Sequence, residues 1–143
     1  MDENSMEAGV IKSYIEELSK IPYNVKSEEM FDLDFAEKVL DEEHYGMKEV
    51  KEAILEVIAV GKLKKTLKGK IFCFIGGPGL GKTSFAKSVA KALNRKFYNI
   101  SLGGVSDSSA LKGHRRTYIG AYSGKIIEAL KNCGTNNPVI LLD

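Results

Sequence analysis

Residues Gly76 to Thr83 read GGPGLGKT, the spacing G-x-x-x-x-G-K-[ST] with Gly76, Gly81, Lys82 and Thr83 at its fixed positions. Polyphosphate chemistry accounts for each requirement. Gly76, Gly77, Gly79 and Gly81, with Pro78 and Leu80 between them, let the backbone curl so that successive N–H groups face an anion. A helix that starts at about Lys82 turns its positive dipole end to the same place. Lys82 can reach the outer phosphates of a nucleoside triphosphate, and Thr83 can put its hydroxyl on a magnesium ion bridging them. A chance glycine turn could match the same letters. Here a strand-type run, KIFCFI, precedes the turn and an amphipathic stretch with Phe85, Val89 and Leu93 follows it, as the mechanism requires.

A second chemical feature stands at the far end of the chain, where NNPVILLD closes on Asp143. Val139 to Leu142 read as an apolar strand, and ligands of open parallel sheets collect where strands end. Taken alone, such an acid is as readily a solvated strand end. Beside a phosphate cradle it is expected to help hold the magnesium ion.

The elements that must position these groups follow from periodicity. Val10, Ile11, Tyr14, Ile15 and Leu18 form a helical stripe that Pro22 ends. A second helix is predicted over Leu33 to Glu42, with Phe35, Ala36, Val39 and Leu40 inward. A third runs from Met47 to about Lys64, with Val50, Ile54, Val57 and Ile58 inward and Lys48, Lys51, Glu52 and Glu56 outward. Its tail, KLKKTLKGK, reads as a solvated basic run. Then come strand KIFCFI, the cradle and its helix, strand FYNISL, a polar glycine-rich stretch, helix KIIEALKN and strand PVILLD. That order predicts an α/β fold, a parallel sheet of three strands flanked by helices, with Val139 to Leu142 central.

Composition excludes more than it selects. The 143 residues are 43% hydrophobic and 28% charged with a net charge of +2, enough for one core and no electrostatic footprint for nucleic acid or a membrane surface. No run approaches the ~18 apolar residues of a bilayer span. The acidic start, MDENSMEAGV, does not resemble a targeting signal, so the chain is expected in the cytoplasm. The mitochondrial matrix or another organelle remains the alternative if a presequence has been removed. Cys73 and Cys133 match no zinc spacing, and Cys73, inside an apolar run, is expected to be a buried free thiol.

The stretch between the cradle and Asp143 narrows the reading. ALNRKFYNISLGGVSD, then LKGHRRTYIGA, then NPVILLD, resembles the ATPase module of the Lon family of ATP-dependent proteases. SYIEELSKIPYN and LDEEHYGMKEVKEAILEVIAVGKL are similar to the segments that lead into that module, so the resemblance covers roughly Met6 to Asp143. GHRRTY is its most specific part, since a phosphate cradle alone does not require it.

The resemblance implies a P-loop NTPase fold of the AAA+ type, with residues 1–31 as a linker helix leading in and residues 32–143 as the first part of the ATPase domain. It implies ATP and magnesium as cofactors, with Gly76 to Thr83 on the phosphates and Thr83 and Asp143 on the metal. His44 and Tyr45 match a segment that comes near the adenine, although without the family they would be an ordinary helix-linking pair. Tyr118 and Ile119 match an aromatic–aliphatic pair that grips unfolded protein substrate in the channel of a six-membered homo-oligomeric ring. The plain alternative is a tyrosine packed on the sheet. Arg115 and Arg116 could hold that loop or meet a neighbouring subunit. His114 has no second ligand in view, so no metal or general-base role is assigned to it.

Two residues depart from the family pattern. Gly77 stands where a proline is usual, which adds backbone freedom without removing a phosphate donor. Tyr122-Ser123 replaces a usual Met-Pro pair. The catalytic glutamate, the polar sensor, the arginine finger and the serine–lysine peptidase domain of the family are not in these residues. Ser84, Ser101, Ser108 and Ser109 have no protease context. The expectation is therefore the ATP-binding part of a Lon-type protease, which by itself binds ATP with little hydrolysis and no proteolysis. The alternative is a non-enzymatic ATP-binding module or assembly partner of an AAA+ ring. A small kinase or GTPase would leave the family-like stretch unexplained, and no Asn-Lys-x-Asp segment is present.

Overall fold

The computed structural model describes residues 6–104, 107–113 and 122–143. The elements run α1 (Met6–Ser19), α2 (Leu33–Glu43), α3 (Lys48–Lys64), α4 (Lys82–Ala92), β1 (Phe97–Ile100), α5 (Ser109–Lys112), α6 (Lys125–Cys133) and β2 (Val139–Leu142). They divide into two compact units, one of Ser27–Phe97 and one of Met1–Lys26 with Tyr98–Asp143.

The first unit is a three-helix packing. Asp32 caps α2, its Oδ1 accepting from the N–H groups of Asp34 at 3.1 Å and Phe35 at 3.2 Å. Ala36, Val39 and Leu40 then fall on one buried face, three and four residues apart. Ile54, Ile58 and Gly61 make the inner face of α3, and Phe85, Val89 and Ala92 that of α4. With Leu67 and Leu93 these side chains form one apolar core, onto which Phe31, Phe35 and Phe74 pack. Close approach at Gly61 is tight: a Cβ there would stand 2.7 Å from Leu67 Cγ and 2.9 Å from Phe31 Cε1. The basic tail of α3 is exposed from Lys62 to Lys65, as its composition predicts.

Three expectations fail here. Lys51 is buried rather than outward, because its ammonium finds Asp41 Oδ1 and the carbonyl of His44, each at 2.6 Å. A buried lysine needs such partners, and α2 and the turn after it supply them. Residues 70–75 form no strand. Their side chains alternate as strand residues do: Phe72 and Phe74 lie on one side, their ring planes within 6° of parallel, while Ile71 and Ile75 are 95% and 94% exposed. A strand also needs a neighbour to take its N–H and C=O groups. Among the described residues none pairs with this run, so the sheet has two strands, not three. Cys73 shares the outward side with Ile71 and Ile75 and is exposed, not buried.

In the second unit, β1 and β2 pair directly. Asp143 N–H donates to Ile100 C=O at 3.0 Å, and Leu102 N–H donates to Asp143 C=O, the bracketing pattern of parallel strands. The parallel α/β pairing expected of FYNISL and PVILLD is therefore present. Helix α6 lies between them in sequence, buries Ala129, and ends on Gly134 in the left-handed conformation. Glu17 of α1 accepts from Lys131 of α6 at 2.5 Å and from Ser123 at 3.2 Å. Gly113 and Ser123 form an antiparallel bridge, and a Cβ on adjacent Gly124 would stand 2.0 Å from the Leu111 carbonyl oxygen. Only glycine fits there. No helix among the described residues is long and apolar enough to cross a membrane.

Candidate nucleotide site

The glycine turn leads directly into α4. Gly79 and Gly81 take φ of +78° and +74°, a left-handed conformation that costs glycine nothing and bends the chain into the helix. Around Gly79 an added Cβ would meet nothing within 4 Å. Gly81 is the N-cap residue of α4, and no side chain caps the helix. An acidic cap such as Asp32 on α2 would compete with an incoming phosphate; here that position is left to an anion. Ser84 does not act as a cap either, since its hydroxyl donates to the Gly81 carbonyl at 2.8 Å.

Lys82 bends back over the turn. Its Nζ donates to the carbonyls of Gly77 at 2.7 Å and Gly76 at 3.1 Å. The ammonium thus sits at the mouth of the loop, exposed, where phosphate oxygens can replace carbonyl oxygens as its acceptors. Thr83 is exposed on the first turn of α4. Backbone N–H groups, one ammonium and one hydroxyl suit a magnesium-bound triphosphate, whose oxygens bind both the donors and the metal.

The corner between α2 and α3 belongs to the same unit. The residue pair singled out there is split by the structure: His44 turns in and Tyr45 is fully exposed. His44 Nε2 lies 2.8 Å from Ser88 Oγ, and its ring stands 5.1 Å from that of Phe85. Both contacts are with α4. Ser88 Oγ in turn contacts Glu43 Oε2, and Glu43 Oε1 accepts from Lys91 Nζ. Lys91 is the main cause that holds the Glu43 carboxyl below its ordinary value, with Ser88 next, while burial works weakly against them. Glu43 correspondingly raises Lys91.

Sequence reasoning passed over Ser88 and Glu43. A signal did exist for Ser88: it lies three residues after Phe85 and one before Val89, so it is a polar residue on the buried stripe of an amphipathic helix. Glu43 had none, since its partners are 45 and 48 positions away.

Asp143 closes β2 in the second unit, with an exposed side chain and a backbone held by the strand pairing. Tyr118 and Ile119 lie outside the described residues, as do His114, Arg115 and Arg116. Tyr122, just beyond them, is half exposed.

Comparison with known proteins bears on the whole chain. The model of the ATPase family associated with various cellular activities (AAA) matches residues 72–143. Lon protease 3 of Sorangium cellulosum is 57% identical over 143 residues, which is 100% of this chain and 17% of that protein. The mitochondrial Lon protease homolog of Candida glabrata is 56% identical over 142 residues, 99% of this chain and 14% of that protein. The mitochondrial Lon protease homolog of Saccharomyces cerevisiae is 56% identical over 142 residues, 99% of this chain and 12% of that protein. The chain therefore spans less than a fifth of the length of the curated relatives it matches.

Proposed function

The chain belongs to the AAA family of ATPases, in its Lon branch, and from that premise we propose that it is the part of an ATP-dependent, Lon-type protease that binds the nucleotide. The observation that carries the reading is Lys82, whose ammonium is folded into the glycine turn at an uncapped helix start. Gly76 to Lys82 bind the phosphates of ATP, Thr83 and Asp143 hold the magnesium ion, and Tyr45 faces the adenine from the α2–α3 corner. His44 supports that corner instead of touching the base, since its ring is engaged by Ser88 and Phe85. When bound, magnesium draws charge from the phosphate oxygens; the chain's own groups position and neutralise them.

For the whole protein the proposal is that of its relatives' name: an ATP-driven protease, acting as a homo-oligomeric ring of six subunits that unfolds protein substrates. Tyr118 and Ile119 grip the substrate chain, an aromatic beside Gly120 being able to pack on any extended peptide without reading its sequence. The compartment is the cytoplasm, with the mitochondrial matrix or another organelle as the alternative.

Equilibrium titration of the 143-residue chain with magnesium ATP tests the reading. Lys82→Ala removes a charge-assisted contact, and the expected loss of affinity is about 10- to 100-fold. Equal affinity in wild type and variant would refute the cradle as the binding site.

A further inference from the structure

The α2–α3 corner is fastened through His44. The His44 backbone N–H donates to the Leu40 carbonyl at 3.1 Å, its carbonyl accepts from buried Lys51 at 2.6 Å, and its ring meets Ser88 at 2.8 Å. Ser88 has one hydroxyl proton and two nearby acceptors, Glu43 Oε2 and, at 3.1 Å, the Ser84 carbonyl. The carboxylate is the stronger acceptor, so Ser88 donates to Glu43 and accepts from His44 Nε2–H. Lys91 closes the chain by donating to the other oxygen of Glu43. Beyond His44 the backbone turns sharply through Gly46 at φ +73° and Met47 at φ +51°. A left-handed methionine is strained, and the fixed residues around it sustain that conformation.

The Tyr45 ring beside His44 is fully exposed. An ordered backbone that carries an aromatic ring out into solvent is an arrangement for stacking on something planar. Phe85 and Ser88, the two residues that hold His44, lie about 4.5 and 9 Å along the helix from Lys82, at 1.5 Å per residue. His44, next to Tyr45 in the chain, is thus held against the first two turns of the very helix that the phosphate turn begins.

We propose that Ser88 and Glu43 are positioning residues for nucleotide binding: through His44 they hold the α2–α3 corner so that Tyr45 stacks on the base of a triphosphate seated at Gly76–Thr83. The proposal rests on the cradle reading above. Ser88 is buried and touches neither base nor phosphate; it acts by keeping the corner in its binding arrangement. If loosening the corner leaves that arrangement populated about one-tenth of the time, apparent affinity falls about tenfold.

Two probes separate the base end from the phosphate end: magnesium ATP, and magnesium with inorganic tripolyphosphate, which has no base. Wild type is expected to bind both. Ser88→Ala is expected to lose affinity for ATP about tenfold and to keep its affinity for tripolyphosphate within about twofold. Tyr45→Ala should show the same pattern, and the double variant should lose no more than either single one, because Ser88 acts through Tyr45. Should Ser88→Ala fail to fold, Glu43→Gln makes the same comparison from the partly exposed side of the network, with a smaller loss of about threefold. Equal losses for ATP and tripolyphosphate would reduce Ser88 to a merely structural residue and overturn the proposal. So would additive losses in the double variant, or unchanged ATP binding in Ser88→Ala. Wild type that bound neither probe would overturn the cradle reading, and this inference with it.

Discussion

Phe74 meets Phe85 edge-on, with ring centroids 5.5 Å apart and planes at 81°. The contact joins the run that leads into the glycine turn to the helix that leaves it, so both sides of the cradle rest on one aromatic pair. Phe85 is buried in the core and also lies against His44. Phe85→Ala is expected to cost about 3–5 kcal/mol of stability. Phe72→Ala removes a ring that is 40% exposed and should cost about 1 kcal/mol or less. Denaturant midpoints for the two variants check this, and equal losses would show that the edge-on pair does not anchor the turn.

Gly61 offers a test of packing without chemistry. Alanine is the better helix former by about 1 kcal/mol, so propensity alone predicts a gain in Gly61→Ala. The new Cβ would sit 2.7 Å from Leu67 Cγ, and Leu67 is itself buried. Overpacking of this kind costs about 1–3 kcal/mol, so a net loss is expected, read as a lower urea midpoint with unchanged slope. A stabilised variant would mean that Leu67 and Phe31 can move aside.

Periodicity sets Lys51 on the outward side of α3, and its burial leads to a further prediction. In Lys51→Met the aliphatic stem is retained but the His44 carbonyl loses its donor. The expected cost is about 1–3 kcal/mol, the usual penalty for a buried polar group left unmet. Asp41 adds little to that, since its side chain is 61% exposed and water can take over. Amide exchange should rise first across residues 44–47. A variant as stable as wild type would show that the carbonyl is solvated without Lys51.

What the sequence made legible was whatever a few consecutive residues decide. Helices α2, α3 and α6 were foreshadowed by apolar spacing, and the start of α4 at Lys82 by the glycine turn, because these depend on neighbours three or four positions away. A parallel sheet holding FYNISL and PVILLD follows from the order of elements, whereas the register that sets Ile100 beside Asp143 does not. Residues 70–75 have the composition and the alternation of a strand, but a strand exists only when another backbone pairs with it, and no local pattern supplies one. Lys51, Ser88 and Glu43 escaped for a related reason. Their significance lies in contacts between α2, α3 and α4 that no short window contains. The split of His44 from Tyr45 belongs to the same class, since only the position of Ser88 decides which ring turns inward.

The Glu43–Lys91 pair predicts a specific dependence on pH. Glu43 is held below its ordinary value of 4.5, by Lys91 first and Ser88 second. A carboxyl whose folded pKa is depressed adds stability that is complete above its unfolded value and is lost as the pH falls through its folded value. Lys91 is raised above 10.5 by the same partner, so its contribution is complete below that value and is lost as the pH climbs through its folded pKa. The stability difference between wild type and Glu43→Gln should therefore be widest between those limits and should shrink on the acid side of 4.5. Because the Glu43 side chain is 35% exposed and that of Lys91 58%, solvent screening keeps the ion-pair part of the gap small. Added salt should narrow it further at neutral pH. Unfolding curves for both proteins across the acid range decide the matter. A gap that holds constant from neutral pH down through the carboxylate range would mean that Glu43 acts only as a neutral hydrogen-bond acceptor for Ser88, a role that glutamine fills without titrating.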